Sequence, residues 1–212
     1  MSPQEIWYYF IENIRHTTLL EYIAVFTGIA SVWYSRLENI WVYPTGLVST
    51  TIYVFISYEG GLIGEASVNF YYTVMSIYGW VLWAKKDQQK KHVLQISYST
   101  RKEWLLQLTF FAAFYIILFF ALTYLKKYFG TQTIPWADAF ASATAYTGMW
   151  LMAKKKVESW YWWIATNIGS IPLYFVKQYV FTSVFYIILL IMAVFGLIEW
   201  IKRVKASQQY AA

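Results

Sequence analysis

One stretch of the chain combines aromatic rings with a side-chain amide at helical spacing. Trp160, Trp163, Asn167 and Tyr174 follow one another at intervals of three, four and seven residues, so they share one face of a helix. The surrounding segment is apolar enough to cross a membrane. An amide in hydrocarbon has no water to bond, so Asn167 must bond protein, line a wet cavity or hold a ligand. This face is therefore the first candidate for a ligand site.

The composition indicates an integral membrane protein. Of the 212 residues, 59% are hydrophobic and only 13% are charged, whereas a soluble domain carries about 25% charged residues. The chain has no long polar linker, which predicts a single domain. It has no cysteine, which argues against a disulfide framework and against zinc or iron–sulfur sites. The first residues lack the pattern of a signal peptide, so we expect no cleavage.

Seven apolar stretches are long enough to cross a bilayer, which takes about 20 residues each. Residues 1–18 are aromatic but shorter, and predict an interfacial helix. Most of the 12 Trp and 20 Tyr are expected at membrane interfaces or in packing, including Trp160 and Trp200. The predicted spans lie at about 19–36, 39–57, 66–84, 103–125, 135–153, 159–177 and 181–201.

The basic residues sort to one side of these spans. Of the 17 Lys and Arg, 13 fall on the side of the 85–102 loop and the C-terminus, and 4 on the other. The positive-inside rule then places that loop and the C-terminus in the cytoplasm and the N-terminus outside. We expect a multi-pass protein of the bacterial inner membrane. The net charge of +6 then reflects topology, and we expect no nucleic-acid partner.

Two parts of the chain resemble each other. Residues 41–53 align with residues 162–174 at a constant offset, and residues 79–85 resemble residues 196–202. The two alignments differ in register, and we place that shift in the loop after the second span. Spans 1–3 and 5–7 therefore predict two parallel three-helix repeats, with span 4 as a linker. In such a plan the substrate lies between the repeats near the midplane.

These repeated regions resemble the PnuC family of vitamin transporters over about residues 20 to 202. The resemblance implies a 3+1+3 fold similar to that of the SWEET sugar transporters. It also implies uptake of nicotinamide riboside, or in sister subfamilies of thiamine, riboflavin or deoxynucleosides, without a coupling ion and with trapping by a cytoplasmic kinase. The motifs that carry it are Trp41–Ser49, Asn69–Trp83, Trp160–Asn167, Ser170–Tyr174 and Gly196–Trp200.

The domain organisation follows from the spans and the repeat. We predict an all-α integral membrane fold with seven transmembrane helices and a short interfacial helix. Its parts are an N-terminal interfacial helix at 1–18, a first three-helix repeat at 19–84, a basic cytoplasmic loop at 85–102, a linker helix at 103–127, a second three-helix repeat at 135–202 and a cytoplasmic tail at 203–212.

The ionisable residues favour passive transport over catalysis. The carboxylates and histidines lie near predicted span ends or in loops, and Asp138 is the deepest of them. Nothing resembles a proton relay, a Ser/His/Asp set or a metal-ligand cluster. We therefore predict a facilitator that is not an enzyme and that uses no cofactor and no metal.

Nicotinamide riboside has a cationic pyridinium ring, which aromatic faces can hold by stacking and cation–π attraction. Its ribose and carboxamide need amides and hydroxyls. Pro44 and Pro172, next to Gly46 and Gly169, are predicted hinges between the repeats. The predicted substrate-binding residues are Thr45 and Ser49; Asn69, Tyr72, Thr73, Ser76 and Trp80; Asp138, Ser142, Tyr146 and Trp150; and Trp163 and Asn167.

Structural roles are the alternative for several of these side chains. Asn69 and Asn167 could bond neighbouring helices, and Asp138 could cap a helix. The hydroxyls of Thr45, Ser49 and Ser76 could bond their own helix backbone. Within the same family thiamine, another aromatic cation, is the alternative substrate. From another class, a seven-helix receptor or cargo adaptor would bind without translocation. Besides the vitamin, the expected partners are the lipid bilayer and further copies of the chain, because such spans often form homo-oligomers.

Overall fold

The structure, a computed structural model, describes residues 2–59, 63–86, 93–129 and 133–211. Eight helices account for most of this described part of the chain. They are α1 (Pro3–His16), α2 (Leu19–Arg36), α3 (Val42–Glu59), α4 (Ile63–Ala84), α5 (Arg101–Phe129), α6 (Pro135–Ala153), α7 (Ser159–Val176) and α8 (Val180–Ala211).

The observed helices match the predicted segments to within a few residues at most boundaries. The largest difference is at the C-terminus, where α8 continues to Ala211 through most of the predicted tail at 203–212. The length of an apolar run identifies a span, but it does not predict how far the helix continues beyond the membrane. Part of the predicted basic loop, residues 87–92, lies outside the described residues.

Three helices begin with a capping box, in which a hydroxyl and a glutamate exchange hydrogen bonds with backbone N–H groups. In α2 the N–H of Glu21 donates to Thr18 Oγ1 at 3.2 Å and the N–H of Thr18 donates to Glu21 Oε2 at 2.5 Å. Ser2 and Glu5 do the same for α1, and Thr100 and Glu103 for α5. These glutamates therefore fix where their helices start.

The helices pack as two groups of three. α2, α3 and α4 contact one another in sequence, as do α6, α7 and α8. The groups meet where α4 packs on α6 and α2 packs on α8, while α5 packs on α6 and α1 on α8. The interface between the groups is therefore built from α2 and α4 on one side and α6 and α8 on the other.

The two groups correspond at a separation of 117 residues. Val42 and Ser159, the first residues of α3 and α7, stand 117 positions apart, as do Ser35 and Met152 near the ends of α2 and α6. The same separation holds for the starts of α4 and α8. The register shift predicted from the sequence is thus not needed. The sequence alignment paired Trp41 with Trp162 because both are tryptophan, whereas the helix boundaries pair residues that are 117 positions apart.

The segment before α5 is attached to the turn between α6 and α7. Ser97 pairs with Lys156 in a parallel bridge, in which the N–H of Val157 donates to the Ser97 carbonyl at 3.1 Å. The buried carboxylate of Glu158 accepts bonds from the N–H and hydroxyl of Ser99 at 2.9 and 2.8 Å. The chain between the groups is therefore held against the second group.

Large apolar side chains cover the outside of the bundle. Leu105 and Phe120 on α5 and Ile191 on α8 are each more than half exposed. Within the described residues, two helices, Arg101–Tyr128 and Val180–Gln209, are long and apolar enough by themselves to cross a membrane. Continuous apolar surface of this extent is typical of contact with lipid rather than water.

Candidate functional site

A cavity lies where the two helix groups meet. It has a volume of about 110 Å³ and is lined by side chains from α2, α3, α4, α6, α7 and α8. Most of its wall is apolar or aromatic. Three of the predicted site residues, Ser76, Trp163 and Asn167, line it. The structure thus brings together residues of both groups at one internal space.

Two polar side chains face this cavity without a protein partner. Asn167 is 4% exposed and Ser76 is 2% exposed, yet among the described residues neither side chain makes a hydrogen bond. A buried amide or hydroxyl without a partner costs about 1–3 kcal/mol. Their polar atoms are therefore available to form hydrogen bonds with a molecule inside the cavity.

Trp163 lines the cavity with Asn167, and its ring contacts Tyr72, a predicted residue that lies outside the lining. The ring of Tyr72 lies 6.0 Å from that of Trp163, tilted by 54°. Trp163 also packs on Gly148, where an added Cβ would come within 3.3 Å of the indole. A larger residue at 148 would therefore displace the ring. Gly148 is a contributor that the sequence analysis missed.

Four other predicted residues form hydrogen bonds within the bundle, away from the cavity. Asn69 Nδ2 donates to the Glu65 carbonyl at 3.0 Å, and Ser49 Oγ to the Ala24 carbonyl at 2.8 Å. Thr45 Oγ1 donates to the Trp41 carbonyl at 2.7 Å, one turn back on its own helix. Thr73 likewise bonds the Asn69 carbonyl and the hydroxyl of Thr50. In this state these groups act structurally and lie outside the cavity lining.

The predicted residues of α6 also lie outside the cavity lining. Asp138 pairs with Lys177 Nζ at 2.6 Å and accepts the N–H of Ile134 at 2.6 Å, so it ties the start of α6 to the end of α7. The ring of Tyr146 packs on Tyr71 at 4.3 Å. Trp150 stacks on Phe110 of α5 at 4.9 Å, and Ser142 is half-buried. Trp80, a predicted residue of α4, is 38% exposed and also lies outside the lining.

The predicted hinge residues differ in their surroundings. Pro44 lies in the first turn of α3, where backbone N–H groups have no partner within the helix. The N–H that proline lacks is therefore not needed there, and the helix is not interrupted. Pro172 lies inside α7 and removes a bond there. A Cβ on Gly46 would meet Ser31 at 3.0 Å, and one on Gly169 would meet Phe140 at 3.1 Å. Both glycines therefore serve close helix contact.

Four buried rings close the end of the cavity that is nearest the basic residues. We call Tyr43, Trp83, Trp160 and Trp200 the aromatic plug. Tyr43 meets Trp83 edge-on at 5.2 Å, and Trp160 meets Trp200 edge-on at 5.5 Å. Tyr43 and Trp160, like Trp83 and Trp200, are 117 residues apart, so the plug repeats the correspondence of the helix groups.

Glycines let the plug rings lie directly on helix backbone. A Cβ on Gly79 would fall 2.5 Å from the Tyr43 ring, and one on Gly196 would fall 2.4 Å from the Trp160 ring. Two of the three plug tryptophans also reach the other helix group: Trp83 Nε1 donates to the Ala153 carbonyl at 3.2 Å, and Trp200 Nε1 to the Ser35 carbonyl at 3.1 Å. The plug therefore joins the two groups.

Ion pairs surround the plug. Glu38 accepts from Lys155 Nζ at 2.6 Å and from Arg203 at 3.3 Å, and Arg203 also bonds Glu199 at 3.0 Å. Lys155 Nζ lies 4.6 Å from the Trp83 ring centre. Glu38 and Lys155 occupy corresponding positions after α2 and α6, and both have positive φ, 57° and 52°. The ends of α2 and α6 are thereby linked to each other and to α8.

Two polar atoms inside the plug have no partner. Tyr43 Oη and Trp160 Nε1 are sealed from solvent and make no hydrogen bond in the described part of the chain. Each such group costs about 1–3 kcal/mol relative to its hydrated form. The closed plug therefore carries a polar cost that opening would relieve.

Tyr43→Phe removes one of these groups and keeps the ring. We expect the variant to unfold a few degrees above the wild-type protein in a thermal melt, because the buried hydroxyl no longer opposes packing. Tyr71→Phe is the matched control: its hydroxyl donates to the Tyr146 carbonyl at 3.1 Å, so this variant should unfold at a lower temperature. A lower melting temperature for Tyr43→Phe would contradict the assignment.

No group of three His, Cys, Asp or Glu residues in the described ranges could hold a metal ion. The cavity lining contains no charged residue and offers aromatic faces, one free amide and one free hydroxyl, those of Asn167 and Ser76. Such a lining suits a ligand with a ring and several hydrogen-bonding groups.

Comparisons with known proteins give the family. Residues 18–202 match the family model described as nicotinamide mononucleotide transporter. The nicotinamide riboside transporter PnuC of Escherichia coli (strain K12) is 23% identical over 206 residues, covering 88% of this chain and 86% of that protein. PnuC of Neisseria mucosa is 26% identical over 194 residues, covering 86% and 72%.

A further relative, the riboflavin/roseoflavin transporter RibM of Streptomyces davaonensis, is 21% identical over 187 residues, covering 88% of this chain and 86% of that protein. The crystal structure of the vitamin B3 transporter PnuC superimposes with a TM-score of 0.70 at 23% identity, covering 96% of this chain and 89% of that chain, so the fold is shared. The predicted resemblance is confirmed, and this helical membrane protein belongs to the nicotinamide mononucleotide transporter family.

Proposed function

We propose that this protein transports nicotinamide riboside across the membrane by facilitated diffusion, with trapping by metabolism inside the cell. The observation that carries the proposal is the unpartnered amide of buried Asn167 beside the Trp163 ring, in a cavity between two helix groups. Two of the relatives are named nicotinamide riboside transporters, which supports the substrate.

The lining fits the chemistry of this substrate. The face of Trp163 can hold the pyridinium ring, at about 0.5–2 kcal/mol for a desolvated cation–π contact. Asn167 can both donate to and accept from the carboxamide, and Ser76 can bond the ribose. No residue that lines the cavity is charged. A monocation held by rings can leave again, whereas a phosphate would find no cation, so the lining favours a riboside over a mononucleotide.

The helix groups suggest how the cavity changes sides. We infer that α2–α4 and α6–α8 are parallel three-helix repeats and that α5 is the linker of a 3+1+3 arrangement. The aromatic plug and the Glu38 ion pairs would close the cytoplasmic side, and separation of the repeats would open it. Opening hydrates Tyr43 Oη and Trp160 Nε1, which lowers its net cost.

The positions of the carboxylates support passive transport by a protein that is not an enzyme. Glu38 and Asp138 are held in ion pairs, and Glu21 and Glu103 serve capping boxes. None of them lines the central cavity. No described carboxylate is thus placed to couple a proton or sodium ion to a substrate in that cavity.

Riboflavin is a second candidate because of the similarity to RibM. It is uncharged and has three fused rings, so cation–π attraction to Trp163 would not select it. Thiamine shares the aromatic cation and remains the alternative within the family. A receptor that binds without translocating is the alternative of another class.

Uptake of labelled nicotinamide riboside into proteoliposomes tests the proposal. We expect protein-dependent flux that falls roughly tenfold in Trp163→Ala and in Asn167→Ala, because each loses about 1–2 kcal/mol of ring or amide contact. Trp80→Ala is the matched control, since Trp80 is 38% exposed and outside the lining. Binding without flux would indicate a receptor, and full flux in both variants would remove this site.

The orientation follows from the basic residues, and cysteine labelling tests it. The chain contains no cysteine, so Gln4→Cys and Gln208→Cys each introduce one label site at an exposed position. With the N-terminus outside, an impermeant maleimide should label Gln4→Cys in intact cells and Gln208→Cys only after permeabilisation. The reverse pattern would overturn the proposed topology.

A further inference from the structure

A second cavity lies at the other end of the bundle. It has a volume of about 230 Å³ and is lined by Asn13 of α1, Glu21 of α2, Tyr53 of α3, and Tyr179 and Phe181 near the start of α8, among others. Glu21 is in the first turn of α2, whereas the aromatic plug packs against the last turn. With the topology proposed above, this cavity faces outward.

The first helix forms one wall of this second cavity. The ring of Phe10 lies 6.1 Å from that of Phe181, and Asn13 Oδ1 accepts the N–H of Phe181 at 3.4 Å. These contacts fasten α1 to the start of α8. The interfacial helix, which does not line the central cavity, therefore contributes part of the lining of the second one.

The carboxylate of Glu21 supplies negative charge to this space. Its Oε2 accepts the N–H of Thr18 at 2.5 Å, and Oε1 makes no hydrogen bond within the described residues. No ion pair in the described part of the chain involves Glu21. The lining also contains four aromatic rings, those of Tyr53, Tyr179, Phe181 and Phe185.

A second carboxylate, Glu65, lies on the same side of the bundle but outside the lining of this cavity. Glu65 Oε1 accepts only a long bond of 3.4 Å from Tyr174. Lys177 on this side pairs with Asp138 at 2.6 Å, so it does not neutralise Glu21, which is the charged residue of the cavity lining.

We propose that the second cavity is an outer binding site for an aromatic monocation, in which the Glu21 carboxylate and the surrounding rings hold the substrate before it enters the central cavity. The inference rests on the proposed function for the identity of the cation. A carboxylate with aromatic faces attracts such cations, and the same charge repels phosphorylated forms. Because the site is open and single-charged, its binding is weaker than that of the central cavity and sensitive to salt.

Binding in the absence of the central site tests this proposal. In Asn167→Ala/Trp163→Ala protein in nanodiscs, saturation-transfer difference NMR should still show saturable signal from the pyridinium protons of nicotinamide riboside. Adding Glu21→Gln should weaken that binding at least threefold. Gln keeps an oxygen for the Thr18 N–H, so the start of α2 is preserved.

Two controls separate charge from structure. Glu59→Gln makes the same charge change at the exposed end of α3, outside the cavity lining, and should leave the signal unchanged. The reduced, uncharged form of the riboside should bind weakly and respond little to Glu21→Gln. Phe185→Leu, which removes an aromatic face, should also weaken binding of the cation.

The outcomes are distinct from those of the transport assay. Absence of residual binding in Asn167→Ala/Trp163→Ala protein, or equal binding with and without Glu21→Gln, would overturn the outer site. An equal loss for the charged and uncharged forms would also overturn it, because it would point to altered structure. Lack of flux in wild-type proteoliposomes would contradict the proposed function and leave this binding result unaffected.

Discussion

Two aromatic rings packed on glycine backbone set the geometry of the bundle. Tyr43 on Gly79 and Trp160 on Gly196 leave no room for a Cβ, so the helices approach at one separation on the plug side. The same two rings, Tyr43 and Trp160, also line the cavity beyond the plug. The Trp83 and Trp200 bonds across the interface hold this arrangement closed. Closure and the binding cavity thus depend on the same contacts.

Polar groups without partners divide into two kinds with different consequences. Asn167 and Ser76 face the cavity, so a ligand can satisfy them and gain affinity. Tyr43 Oη and Trp160 Nε1 are sealed inside the plug, so the closed state bears their cost. A carrier must close over its substrate and open again, and both kinds of group keep the free-energy difference between the closed and open states small.

The sequence predicted the helices and the family, and it placed three of its candidate site residues at the central cavity. Apolar length located the spans, and helical spacing placed Trp163 and Asn167 on the face that lines the cavity. Trp160 and Trp200 were expected at membrane interfaces or in packing, and both pack inside the bundle. The sequence analysis did not predict that they join Tyr43 and Trp83 in one plug, although the Gly-x-x-x-Trp pattern at Gly79 and Gly196 marks where the rings approach backbone. Asp138 has a partner 39 positions away, Lys177, and such pairing is invisible to local spacing.

Thermal stabilisation by ligands tests most directly whether a neutral, aromatic cavity between the helix groups selects an aromatic cation. At 100 times the dissociation constant a ligand stabilises the folded state by about 2.7 kcal/mol. Nicotinamide riboside should raise the melting temperature in detergent more than riboflavin does, and the shift should largely disappear in Asn167→Ala protein. A larger shift with riboflavin, or an equal shift in Asn167→Ala, would contradict the account.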